Sequence, residues 1–196
     1  MTSLTAAFTG FFILSNFTSA GLAMQAVQAA PAPEPQYVTH TVAMTAYNAV
    51  PEQTDNDPFT TASGAYSDTD IVAARSVDLA STLPFGTVIE LTTSNQGSTH
   101  GCGLSLVEKQ IGLRVIADSM HPRKVNQIDI LLDQHKTVQL GVRTLNPAVA
   151  LGYCRDIEIR VIGRIDIKSM PKDQQELRLA VGRMEQASEQ FLAIKK

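Results

Sequence analysis

Residues 115–132 read Val115-Ile116-Ala117-Asp118-Ser119-Met120-His121-Pro122-Arg123-Lys124-Val125-Asn126-Gln127-Ile128-Asp129-Ile130-Leu131-Leu132. Two short apolar runs, Val115 to Ala117 and Ile128 to Leu132, have the length and branching of strands, and a polar stretch with a proline separates them. Asp118 ends the first run and Asp129 sits inside the second. Acids are disfavoured in strands, so an aspartate there needs a hydrogen-bond partner or a task. Asp78 repeats the arrangement after Ala73 to Val77. For any single one, the commoner role is to fix a turn by accepting backbone N–H bonds. Three together weigh against that.

Working outward, Tyr37 to Tyr47 is rich in Val and Thr and partly alternates, as a half-buried strand does. Further strand-like segments are Ile71 to Ala74, Thr87 to Thr92, Leu113 to Ala117, Ile128 to Leu132 and Ile157 to Ile162. Many short strands at close spacing with little helix between them suit a β-barrel or sandwich. Pro84-Phe85-Gly86 reads as a tight turn, Asn48 to Asp70 as a long surface loop forming one wall of a site, and Asn95 to Gly103 as a connection carrying the first cysteine. Two helices are expected. One runs from an Asp133 cap through Leu140 with Gly141 as its stop. The other starts near Pro171, and its apolar stripe Leu177, Val181, Met184, Ala187, Phe191 and Ile194 packs on the barrel or on a partner chain.

The chain of 196 residues suits one globular unit with tails. Hydrophobic content of 44% with 18% charged residues excludes both a multi-span membrane protein and a disordered one. A net charge of -3, with no Lys or Arg before Arg75, leaves no footprint for nucleic acid. Leu4 to Phe17 is an uncharged apolar run of signal-peptide length, without a basic segment before it. Residues 1–29 are therefore expected to be a signal peptide or membrane anchor, the only link to a membrane, and 30–36 a Pro/Ala linker. Residues 37–167 form the barrel domain and 168–196 the C-terminal helix. Export makes a bridge between Cys102 and Cys154 the favoured state over two free thiols. His40, His100, His121 and His135 show no close ligand spacing, so no metal or other cofactor is expected.

These pieces, in this order, resemble the three-aspartate (3D) domain, a double-psi β-barrel related to the catalytic barrel of the A-type membrane-bound lytic transglycosylases. The resemblance covers roughly Thr41 to Gly163. It rests on Met44-Thr45-Ala46-Tyr47, Thr61-Ala62-Ser63-Gly64, Ala73 to Asp78, Leu83-Pro84-Phe85-Gly86-Thr87, Ala117-Asp118-Ser119-Met120, Gln127-Ile128-Asp129-Ile130 and Leu140-Gly141-Val142-Arg143. It implies a mainly β fold, a six-stranded double-psi β-barrel with a C-terminal helix, whose groove binds peptidoglycan or a related glycan in the periplasm or cell envelope. Relative to a minimal domain, Asn95 to Gln110 and Thr144 to Arg155 look like insertions. Each holds one cysteine, which supports the bridge.

The resemblance places Asp129 at the position of the transglycosylase acid. An exposed aspartate, with a pKa of about 3.9, would have no proton to give at neutral pH. Ile128 and Ile130 imply an apolar setting, and Asp118 or Asp78 nearby would add like-charge repulsion; both raise the pKa. Asp118 and Asp78 are thus expected to tune, position substrate or serve architecture. Tyr47, Thr61 and Ser63 are expected to bond sugar hydroxyls, with Gly64 allowing close backbone approach. Where many members are Gly-rich, this chain places His121, Arg123 and Lys124, which suit either contact with an anionic or acetylated glycan or a solvated basic turn. The alternative is a non-catalytic wall-binding module of expansin type that uses the same groove.

Overall fold

Strand alternation builds the molecule. The computed structural model describes residues 36–54, 57–92 and 102–194. Six strands close into a barrel: β1 (Val38–Tyr47), β2 (Val72–Arg75), β3 (Thr87–Leu91), β4 (Arg114–Ser119), β5 (Gln127–Leu131) and, after the short pair β6 (Val138–Leu140) and β7 (Arg143–Leu145), β8 (Cys154–Arg164). Their order around the barrel is β1-β5-β2-β4-β3-β8. β1/β5 and β2/β4 run parallel and the other neighbours antiparallel. This is the expected six-stranded barrel, and two parallel pairs in a closed mixed sheet are compatible with a double-psi arrangement.

A barrel of this size is filled by its own side chains. Val42, Met44, Ala73, Ile89, Ile116, Ile128, Ile130, Ile157 and Ile159 form the interior. Outside it, Val72, Ala117 and Leu131 pack under Ala65 of the long loop. A second outer face, Ile71, Val88, Leu113 and Val115, is covered by Leu177 and Val181 of α3 (Gln174–Ile194), which follows α1 (Leu104–Ile111) and α2 (Pro147–Leu151) in the chain.

Arg114 is the polar nail of this frame. It is 1% exposed, and its guanidinium donates to the carbonyls of Thr69, Val72, Gln110, Ile111 and Leu131. It thereby ties the loop before β2, the end of β5 and the last carbonyls of α1, where a cation also meets the negative end of the helix dipole. Burial lowers its pKa to about 10. Cys102, just before α1, is bridged to the fully buried Cys154 at the start of β8, a kind of bond that persists best in oxidising surroundings.

Three expectations are corrected. Asp133 to Leu140 is not a helix: Asp133 accepts from the His135 N–H at 2.8 Å to make a turn, and Val138–Leu140 is strand β6. Gly141 has φ +60° and turns β6 into β7, which suits a hairpin better than a helix stop. The connection around Cys102 contains helix α1, with Leu104, Val107 and Ile111 buried at helical spacing. The C-terminal helix starts at Gln174 and not near Pro171, after a 3-10 turn at Ile167–Ser169, because Asp173 caps it. The Asp173 side chain accepts the Glu176 N–H at 2.8 Å. The expected export segment 1–29, the linker up to residue 35 and the side chains of Phe191 and Ile194 lie outside the described residues. Among the described residues no helix is long and apolar enough to cross a membrane.

Candidate functional site

One row of residues crosses the outer wall of the barrel. Thr45 of β1 pairs with Asp129 of β5, Asp129 with Ala74 of β2, and Ala74 with Asp118 of β4. At a strand spacing of about 4.8 Å, the two aspartates stand about 10 Å apart along the sheet with only an alanine between them. Asp129 faces outward by simple alternation, since Ile128 and Ile130 point into the core. Asp118 does so through a bulge: Ile116 pairs with Ala73 but Asp118 with Ala74, so Ala117 is an extra residue. Without it the carboxylate would point into the barrel interior. Bulges commonly re-aim side chains beside functional sites.

The two carboxyls differ in setting. Asp129 is half-buried, and its Oδ1 accepts from Thr45 Oγ1 at 2.8 Å. Burial is the largest influence on it and pushes its pKa up to about 6. The Thr45 bond and Lys124 work against this rise, and Asp118 adds to it. Asp118 is committed to three donors: Tyr47 OH at 2.9 Å, Ala62 N–H at 2.9 Å and Ser119 N–H at 2.8 Å. It pins the long loop to β4 and holds the Tyr47 phenol, whose own pKa is raised, first by burial.

Asp118 also lines a cleft of about 500 Å³. Its floor continues through Ser119, Met120 and His121, and its far wall is Glu52, Gln53, Thr54, Thr60, Ala62 and Ser67 of the long loop. The lining is polar and carries hydroxyl, amide, carboxyl and imidazole groups. Asp129 is not among the residues that line it; it lies one alanine further along the wall.

The remaining expected residues divide. His121 reaches the cleft, and its Nδ1 accepts from the exposed Arg123 N–H at 3.2 Å. Thr61 is buried, donating to the Ala65 carbonyl and sharing a hydrogen bond with Ser63, so both serve the turn. Gly64 has φ +83° and open space where a Cβ would be, so the turn needs its backbone conformation. Asp78 is exposed at the turn Val77–Ala80. Its pKa is lowered by the Ser76 hydroxyl, against slight burial, and by the Asn126 N–H, which it accepts at 2.9 Å.

Two contributors went unnoticed in the sequence, Thr45 and Gln127. Period-two alternation places Gln127 on the same face as Asp129, and that is the signal that would have found it. Its Nε2 donates to Thr45 Oγ1 at 2.8 Å. Among the described residues no cluster of three or more His, Cys, Asp or Glu is placed to hold a metal ion. No protein-family model matches the chain, and no curated protein matches it either.

Proposed function

We propose that this is an exported cell-envelope protein that cleaves peptidoglycan glycan strands as a lytic transglycosylase does, with Asp129 as general acid. The observation that carries the reading is Asp129 itself: a carboxyl on the outer barrel wall, pushed up to about 6 mainly by burial and held by one donor. Such a group keeps a share of its proton near neutral pH, which general acid catalysis needs and an exposed aspartate lacks. The barrel topology and the polar cleft support a three-aspartate-domain relationship, and the disulfide supports export.

In the proposed reaction Asp129 gives its proton to the glycosidic oxygen and the C1–O bond breaks. The 6-hydroxyl of the same sugar attacks C1, and its proton passes to the Asp129 carboxylate, restoring the acid. No second carboxylate nucleophile is required, which fits an Asp118 already engaged by three donors.

One observation favours a second reading, a non-catalytic glycan-binding module: the cleft runs along Asp118 and His121, not along Asp129. Digestion of purified sacculi separates the two. Release of 1,6-anhydromuropeptides by the wild type, abolished in Asp129→Asn, supports cleavage. Co-sedimentation with sacculi without release moves the assignment to binding, and neither release nor binding sinks both.

A further inference from the structure

A hydrogen-bonded chain joins Asp78 to Asp129 through three intervening residues. Thr45 Oγ1 lies 2.8 Å from Asp129 Oδ1 and 2.8 Å from Gln127 Nε2. The Gln127 backbone N–H donates to Ser76 Oγ at 3.1 Å, and the Ser76 N–H returns to the Gln127 carbonyl at 2.8 Å. The Ser76 hydroxyl bonds Asp78, which also receives the Asn126 N–H beside Gln127. Gln127 is 4% exposed and Ser76 is fully buried, so this chain is shielded from competing water over most of its length.

The chain has a direction. A hydroxyl carries one hydrogen, and an amide nitrogen only donates. Gln127 Nε2 gives a hydrogen to Thr45 Oγ1, and the single Thr45 hydrogen is given to Asp129 Oδ1. The reversed amide would take that hydrogen and set the lone pairs of Oγ1 against Oδ1. In the protonated carboxyl, Oδ1 is then the accepting oxygen and the acid hydrogen sits on Oδ2.

We infer that Thr45 and Gln127 are positioning residues that keep the acid proton of Asp129 on Oδ2, and that Ser76 and Asp78 fix Gln127 for this task. This gives Asp78 a part in the site without contact with substrate, and it rests on the reading of Asp129 as the acid. The charged and titratable groups facing Asp129 are Lys124, Asp118 and the Tyr47 phenol, and they stay unchanged in every variant below.

The test is a carbon-13 NMR titration of the Asp129 carboxyl in the full chain, which uses no substrate. Thr45→Val keeps the side-chain shape and removes the donor, so the midpoint should rise by about one pH unit. Thr45→Ser should restore it, and Gln127→Met should raise it by less, since Thr45 then retains a donor without a fixed direction. A midpoint unmoved in both Thr45→Val and Gln127→Met, with native amide spectra, overturns the proposal; if Thr45→Val does not fold, Gln127→Met decides alone. Sacculi left intact by the wild type would sink the cleavage reading while leaving the titration to judge the relay. Undiminished cleavage by variants with an unmoved midpoint would sink the relay and leave the cleavage reading standing.

Discussion

Asp118 and Asp129 flank Ala74 at one level of the barrel wall, so the chain holds two carboxyls side by side without letting them touch. The strand spacing sets their separation, and the bulge at Ala117 brings Asp118 to this level on the outer face. Asp118 is consumed by loop and phenol contacts, whereas Asp129 keeps one donor and an elevated pKa. The same wall therefore supplies one carboxyl tied into loop and phenol contacts and one whose pKa burial raises.

The elevated pKa carries a stability cost with an unusual sign for an aspartate. The folded chain holds the Asp129 proton up to about pH 6, while the unfolded chain has released it by about pH 4. Between those values the folded state binds more protons, so the Asp129 contribution to stability falls as pH rises, by on the order of 2–3 kcal/mol in all. Asp129→Asn keeps the acceptor for Thr45 and removes the charge. It should match the wild type at pH 4 and exceed it by about 2 kcal/mol at pH 8, read by urea unfolding at both. A variant no more stable at pH 8 would contradict the buried setting of Asp129.

Arg114 should be among the costliest single positions. Arg114→Met removes the donor for five carbonyls at once, and leaving buried acceptors unpaired costs about 3 kcal/mol or more in total. Arg114→Lys should recover only part of this, because an ammonium cannot reproduce the guanidinium fork. Chemical denaturation ranks the three chains, and a lysine variant as stable as the wild type would show that the charge matters more than the fork.

The Cys102–Cys154 bridge spans 52 residues and contains α1, β4 to β7 and α2. Its removal by Cys102→Ala with Cys154→Ala should cost about 2–4 kcal/mol. The loss should appear as a lower thermal midpoint, and reductant should lower the wild type by a similar amount while leaving the double variant unchanged. A double variant that melts with the oxidised wild type would mean the packing of Leu104, Val107 and Leu151 already holds this region.

The strands were legible because short runs with β-branched residues, such as Val115 to Ala117 and Ile128 to Leu132, favour extended backbone, and because Gly86 follows Pro84-Phe85 at φ +89°. A Cβ on Gly86 would fall on the Ile165 carbonyl oxygen, so that turn is demanded by packing as well as by φ. The β6–β7 hairpin was misread because Asp133 starts a turn as readily as a helix, and only pairing with Arg143–Leu145 decides between them. At the site, each aspartate was visible as an acid in an apolar run, but their mutual arrangement was not. The bulge at Ala117 leaves no mark in composition, and the Gln127–Thr45 bond joins residues 82 positions apart that only barrel closure brings together.

The apolar stripe of α3 has two possible partners by its sequence, the barrel or another chain. Leu177 is fully buried and Val181 nearly so, against Ile71, Val88, Leu113 and Val115. The Gln174 amide adds three bonds, accepting from the Leu113 N–H at 3.1 Å and donating to the Leu113 and Asp70 carbonyls at 2.7 Å each. The start of the helix thus covers an outer face of its own barrel. Leu177→Ala should cost about 2–5 kcal/mol, the range for a buried leucine whose cavity cannot collapse. Truncation after Ile167 should expose this outer face and raise binding of a hydrophobic dye at native pH. A truncated chain that stays folded and dye-negative but changes oligomeric state would instead assign the stripe to a contact between chains.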